Sequence, residues 1–158
     1  MQASYNKQIM FSKEQAVQKI KHYCNYRQRS HSEVKQKLQS YNLKEEDTGE
    51  IIALLNAQGL INDESFAVNY AIGKFRIKQW GKQKIKNGLQ QKSIKPESIS
   101  KALNAINKND YQKTFFDVAD KKMKSLLLEK NLLVKKQRCM NYLLQKGFEY
   151  ALIQEYLR

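Results

Sequence analysis

Residues 66–89, FAVNYAIGKFRIKQWGKQKIKNGL, decide how this chain is read. Phe66, Ala67, Tyr70, Ala71 and Phe75 recur at the three- and four-residue spacing that lines up one face of a helix. Ile85 and Leu89 begin a second such face, and Gly81 between the two predicts a turn. Lys74, Arg76, Lys78, Lys82, Lys84 and Lys86 fill the corner, with no acidic residue among them. The stretch therefore predicts a long helix, a basic corner and a short helix.

The same plan occurs on both sides. Leu38, Leu89 and Leu143 are equivalent anchors, separated by 51 and 54 residues. Each has an apolar residue four positions earlier (Val34, Ile85, Cys139) and another five positions later (Leu43, Ile94, Phe148). The matching last-helix positions are Ile52, Leu103 and Leu157. Matching internal offsets in three copies predict a repeat architecture, in which neighbouring units bury one another's faces. The expected fold is all-α, with three tandem three-helix repeats forming an elongated, curved helical array. Its expected parts are an N-terminal tail (1–11) and units at 12–61, 62–108 and 109–158. A single globular bundle of nine helices is the alternative architecture.

Helix boundaries follow from local chemistry. Ser12 with Gln15 forms a capping box, and Ser30 or Ser32 caps a second helix with Glu33 in its first turn. The acidic run Glu45, Glu46, Asp47 suits the positive end of a third helix, packed through Ile51, Ile52, Leu54 and Leu55. Gly59 predicts a left-handed stop. Asn62 or Asp63 starts the next long helix, and Pro96 suits a first helical position. A long helix is expected from Asp110, a shorter one over 135–145 ending before Gly147, and a last one over 150–157. Tyr23, Tyr26, Tyr70 and Tyr111 are expected to pack on the long helices, and Cys24 to be a small core residue.

Composition narrows the function. Lys and Arg number 29 against 15 Asp and Glu, a formal charge of +14 over 158 residues. Solubility needs a net charge of only about 2–8 in a small domain, so the excess points to a polyanionic or acidic partner. The two cysteines, Cys24 and Cys139, make no disulfide framework. Neither a signal peptide nor a membrane-spanning apolar run is visible, so a cytoplasmic protein is expected. His22 and His31 are separated by a predicted helix break, and there is no zinc-protease, phosphate-loop or cysteine-pair motif. Asp63 and Glu64 are explained by helix capping. No catalytic residue, metal or cofactor is expected, and the chain does not read as an enzyme.

Three basic clusters carry the functional reading. The first holds Arg27, Arg29, Lys35 and Lys37; the second runs from Lys74 to Lys86; the third holds Lys121, Lys122, Lys124, Lys130, Lys135, Lys136 and Arg138. Each falls at the corner between its unit's long helix and the next. Such corners suit a nucleic-acid backbone or an acidic groove on a filament, and the excess of Lys over Arg suits diffuse phosphate attraction. Trp80, inside the second cluster, is read as a stacking platform for a base, an interface anchor, or a ring wedged between two helices.

Three motifs carry a resemblance to a known family: Arg29-Ser30-x-x-Glu33-Val34-x-x-Lys37-Leu38, Leu60-Ile61-Asn62-Asp63-Glu64-x-Phe66-Ala67, and Arg76-x-x-x-x-Gly81-x-x-x-Ile85-x-x-x-Leu89. In this order and spacing the chain resembles the bacterial RecX family of regulatory proteins, over nearly its whole length. The resemblance implies an elongated helical modulator of the RecA recombinase; a monomer is expected. Such a modulator binds the recombinase–single-stranded DNA filament and limits its extension, ATP hydrolysis and strand exchange. It also implies architectural roles for Glu33, Leu38, Asp63, Phe66 and Leu89. Asn62 stands where the family often has an acidic residue. The alternative function is nonspecific nucleic-acid binding through a multi-patch basic surface; a purely structural helical adaptor is a third.

Overall fold

The computed structural model describes residues 11–158; residues 1–10 of the expected tail lie outside that range. The described residues form nine α-helices and no strand. The chain divides into two compact units, Met1–Phe66 and Ala67–Arg158.

The first unit holds α1 (Lys13–Tyr26), α2 (His31–Gln39), α3 (Glu45–Ala57) and the start of α4 (Asp63–Lys78). The expected capping box at Ser12 is present, and a second one forms at Ser30. Ser12 Oγ accepts from the Gln15 N–H and Gln15 Oε1 from the Ser12 N–H. Ser30 and Glu33 make the same reciprocal pair, so Ser30, not Ser32, caps α2. The three helices enclose Ala16, Ile20, Cys24, Val34, Leu38, Ile51 and Leu55, with Ile61 closing the base. A fully buried Leu or Ile contributes about 1.5–3 kcal/mol, so this cluster dominates the stability of the unit. Gly59 stops α3 at φ 67°, and the Leu60 N–H returns to the Leu55 carbonyl at 2.9 Å. The Asn62 side chain accepts from the Ser65 N–H at 2.9 Å, at the start of α4.

Two expectations change here. Phe11 was assigned to the tail, yet its ring packs edge-on to Tyr41 with centroids 5.0 Å apart. Tyr26 was expected to pack, but it sits on the outer side of the last turn of α1 and is 81 % exposed.

The second unit holds the rest of α4, then α5 (Lys82–Gln91), α6 (Pro96–Asn104), α7 (Lys108–Ser125), α8 (Leu132–Lys146) and α9 (Tyr150–Leu157). Ile85, Leu89, Cys139 and Leu143 are fully buried, as their equivalence to Val34 and Leu38 demands. Phe75, Tyr111, Phe148 and Phe115 form a chain of ring contacts with centroids 5.2–5.8 Å apart. Burial raises both Cys24 and Cys139 thiols above their ordinary range, which keeps them protonated and makes them core residues.

The reason for Gly81 differs from the expected one. Its φ is −72°, open to any residue, and the left-handed position of this corner is Gln79 at φ 52°. Glycine is needed because a Cβ at position 81 would lie 2.2 Å from the Gly147 carbonyl group. The helix expected over 135–145 begins earlier, at Leu132, where Asn131 accepts from the Leu133 and Val134 N–H groups. The leucines on either side of the α7–α8 break are solvent-exposed at Leu127, Leu128, Leu132 and Leu133.

Candidate nucleic-acid and filament interface

The first basic cluster lies at the α1–α2 corner. Arg27 and Lys35 are exposed, and Arg27 stands 3.9 Å from Glu33. Lys37 lies over the rings of Tyr23 and Tyr41, at 5.8 and 5.6 Å. Arg29 is different: it is 8 % exposed, its guanidinium stacks 3.8 Å from the Tyr23 ring centre, and its Nε–H points to the Tyr23 carbonyl at 3.4 Å. Expected as a contact residue, Arg29 is a packing residue, because its planar cation is already matched to a ring and a carbonyl. Lys19 and His22, which charge clustering passed over, join Tyr23, Tyr26, Arg29 and Lys37 around an open concavity of about 840 Å³. The residues lining it include no carboxylate.

The second cluster spans the end of α4 and α5. Arg76, Lys78 and Lys86 are exposed. Lys74 and Lys84 both lie over the Trp80 ring, at 5.0 and 4.8 Å. The ring is half-buried, with these two lysines over it. Lys84 Nζ also donates to the Gln145 carbonyl at 3.0 Å, and Lys82 Nζ stands 5.0 Å from the Tyr111 ring centre. Arg76 shares a shallow pocket with Asp110 and Asp117, so its field is partly offset.

In the third cluster Lys121, Lys124 and Lys130 are exposed, whereas Lys122 lies over Tyr142 at 5.0 Å. Lys135 and Lys136 are half-buried, and Lys136 Nζ reaches the Arg158 carbonyl at 3.4 Å. Arg138 pairs with Glu129 at 3.2 Å. Lys146 was missed by sequence clustering; its Nζ donates to the Lys78 carbonyl at 3.1 Å and so joins the end of α8 to the second cluster.

A polar hub fixes that join. The Gly81 N–H donates to the Lys146 carbonyl at 2.8 Å and the Gln83 N–H to the Gly147 carbonyl at 3.0 Å. The Lys82 N–H donates to the Tyr111 hydroxyl at 3.0 Å, and that hydroxyl donates to Glu149 at 2.5 Å. Burial, then the bond to Glu149, pushes the Tyr111 phenol well above its usual range, so it remains a donor. In the first unit the equivalent N–H, that of His31, donates to Asp63 at 2.9 Å.

Among the described residues no group of three or more His, Cys, Asp or Glu could hold a metal ion, and no helix is long and apolar enough to cross a membrane. What the geometry offers is a set of solvated cations on helical scaffolds, one in each unit. Comparison with known proteins places those scaffolds. Residues 62–103 match the second three-helix domain of RecX, and residues 109–157 match the third. The chain is 30 % identical over 132 residues to the regulatory protein RecX of Streptococcus agalactiae serotype V (strain ATCC BAA-611 / 2603 V/R), covering 84 % of this chain and 50 % of that one. It is 28 % identical over 132 residues to regulatory protein RecX of Lactococcus lactis subsp. cremoris (strain MG1363), covering 82 % and 49 %. The crystal structure of RecX from Lactobacillus salivarius superimposes with a TM-score of 0.81 at 26 % identity, covering 90 % of this chain and 92 % of that one.

The molecule is thus an all-helical repeat protein of a regulatory class. The chain belongs to the RecX family. It spans about half the length of the curated relatives quoted above.

Proposed function

We propose that this chain binds the filament that a RecA-type recombinase forms on single-stranded DNA. On that filament it limits extension, ATP hydrolysis and strand exchange. The observation that carries this reading is the correspondence of most of the chain to relatives described as regulatory protein RecX. The proposed organisation is three three-helix units, at 12–61, 62–108 and 109–158, acting as a monomer in the cytoplasm without a cofactor. Its exposed cations away from the α7–α8 turn (Arg27, Lys35, Lys78, Lys86 and Lys121) supply direct contact with phosphate. Arg29 supports the first unit from within.

The test is a recombinase assembled on poly(dT), with this protein added at substoichiometric amounts. ATP hydrolysis and mean filament length should both fall. Unchanged values, at concentrations where binding is detected, would overturn the regulatory reading.

The charge of +14 favours a second reading, nonspecific nucleic-acid binding. In that case affinity for bare single-stranded DNA would fall steeply with salt, and the filament would bind no better than the bare strand.

A further inference from the structure

The turn between α7 and α8 carries the molecule's most unusual surface. Leu128 is 97 % exposed and Leu133 is 78 % exposed, with Leu127 and Leu132 exposed beside them. Scattered apolar side chains on a surface need no explanation, but four exposed leucines within seven residues concentrate apolar surface at one turn.

The turn is held in one shape. The Leu127 N–H donates to the Lys124 carbonyl at 3.3 Å and the Glu129 N–H to the Leu126 carbonyl at 3.1 Å. The Asn131 N–H donates to the Glu129 carboxylate at 3.1 Å. Asn131 in turn caps α8, and Arg138 clamps Glu129 at 3.2 Å. Its charge has one sign. Lys124 and Lys130 are exposed on the turn, while the nearby acids are engaged, Glu129 by Arg138 and Asp120 by the Tyr156 hydroxyl.

We propose that this leucine turn is the protein-docking element of the chain. It enters an apolar groove rimmed by carboxylates on a recombinase subunit of the filament. The proposal rests on the filament-binding reading above and assigns the protein contact to this turn, leaving the exposed cations elsewhere to the DNA. Three features select the occupant. Aliphatic side chains have no ring face on which the bases of a single strand stack, so exposed leucines are a poor platform for single-stranded DNA. The flanking lysines call for an acidic rim. A fixed turn lowers the ordering cost of entering a shaped groove, whereas a fluid bilayer makes no use of a fixed shape.

The experiment uses the Leu128→Ser/Leu133→Ser double variant, whose far-UV circular dichroism and melting should match the parent because both side chains already face water. Binding is measured by anisotropy to fluorescein-labelled oligo(dT), bare and coated with recombinase in the presence of ATPγS. It is measured in parallel by co-sedimentation with phosphatidylglycerol–phosphatidylcholine vesicles. The variant should lose about tenfold or more in filament affinity, a change of roughly 1.4 kcal/mol, and keep the parent's affinity for bare oligo(dT). A photo-crosslinking residue at position 128 should join the recombinase and not the oligonucleotide, and this readout removes only one leucine.

Variant binding equal to the parent on the filament would overturn the proposal. So would an equal loss on bare oligo(dT), or a leucine-dependent loss seen only on vesicles. A parent protein that ignores the filament would overturn the regulatory reading together with this one, which separates the two failures.

Discussion

The N-termini of α2 and α5 occupy the same place in the repeat, 51 residues apart, and they are finished in opposite ways. A helix start leaves its first N–H groups without intrahelical partners. At α2 the solution is largely local: Ser30 and Glu33 cap each other's main chain, while the His31 N–H reaches further, to Asp63. At α5 there is no side-chain cap from Gly81. The N–H groups of Gly81, Lys82 and Gln83 go to Lys146, Tyr111 and Gly147. The first corner is therefore written in four consecutive residues. The second exists only when α5, α7 and α8 are assembled. It follows that the α5 corner reports on the packing of the whole second unit, whereas the α2 corner reports on its own helix.

That contrast is open to direct attack. Gly81→Ala should have the largest effect. Its methyl would meet the Gly147 main chain, where no side chain can move aside, so a loss of about 3 kcal/mol or more is expected in urea denaturation. If Gly81→Ala is neutral, the close approach of α5 to the end of α8 is wrong.

Tyr111→Phe comes next. It leaves the Lys82 N–H and the Glu149 carboxylate without their shared hydroxyl, and about 1–3 kcal/mol should be lost. The same phenol gives a pH signature. Its pKa is raised in the folded chain, so the stabilisation is fully present below the ordinary phenol pKa of about 10. It is lost above that value by up to about 1.4 kcal/mol per pH unit. Thermal melts between about pH 9 and about pH 11 should show this fall in the parent and a flatter profile in Tyr111→Phe.

Ser30→Ala should be the mildest of the three, at about 1 kcal/mol, because what is lost is one side chain's local bonds, to the Glu33 N–H and the Ser32 hydroxyl. A Ser30→Ala effect larger than that of Gly81→Ala would invert the comparison and make the local corner the critical one.

The difference between the corners also explains what was legible beforehand. Ser12, Gly59 and Pro96 each mark a boundary through their own side chain or backbone and are readable in place, whereas the sequence leaves the α2 cap between Ser30 and Ser32. The anchors Val34 and Leu38, Ile85 and Leu89, Cys139 and Leu143 were readable because a repeat spaces its core residues regularly. Gly81 was readable as a special position but not for the right reason, since its partner lies 66 residues further along. Among the candidate contacts, charge alone could not separate Arg29, stacked inside the first unit, from Arg27, in solvent two residues earlier. Nor could it reveal Lys19 and Lys146. Lys19 joins its concavity, and Lys146 its basic cluster, only through folding.

Sequence by itself determined that the chain is helical, that it repeats, where most helices begin and end, and that its surface is strongly cationic. These follow from interactions within a few residues and from side-chain periodicity, both written along the chain. Tertiary structure alone decided which cations remain free, why residue 81 must be glycine, and that the leucines at the α7–α8 turn face water instead of the core. Those outcomes depend on burial and through-space approach between residues up to 68 positions apart, which no local pattern encodes.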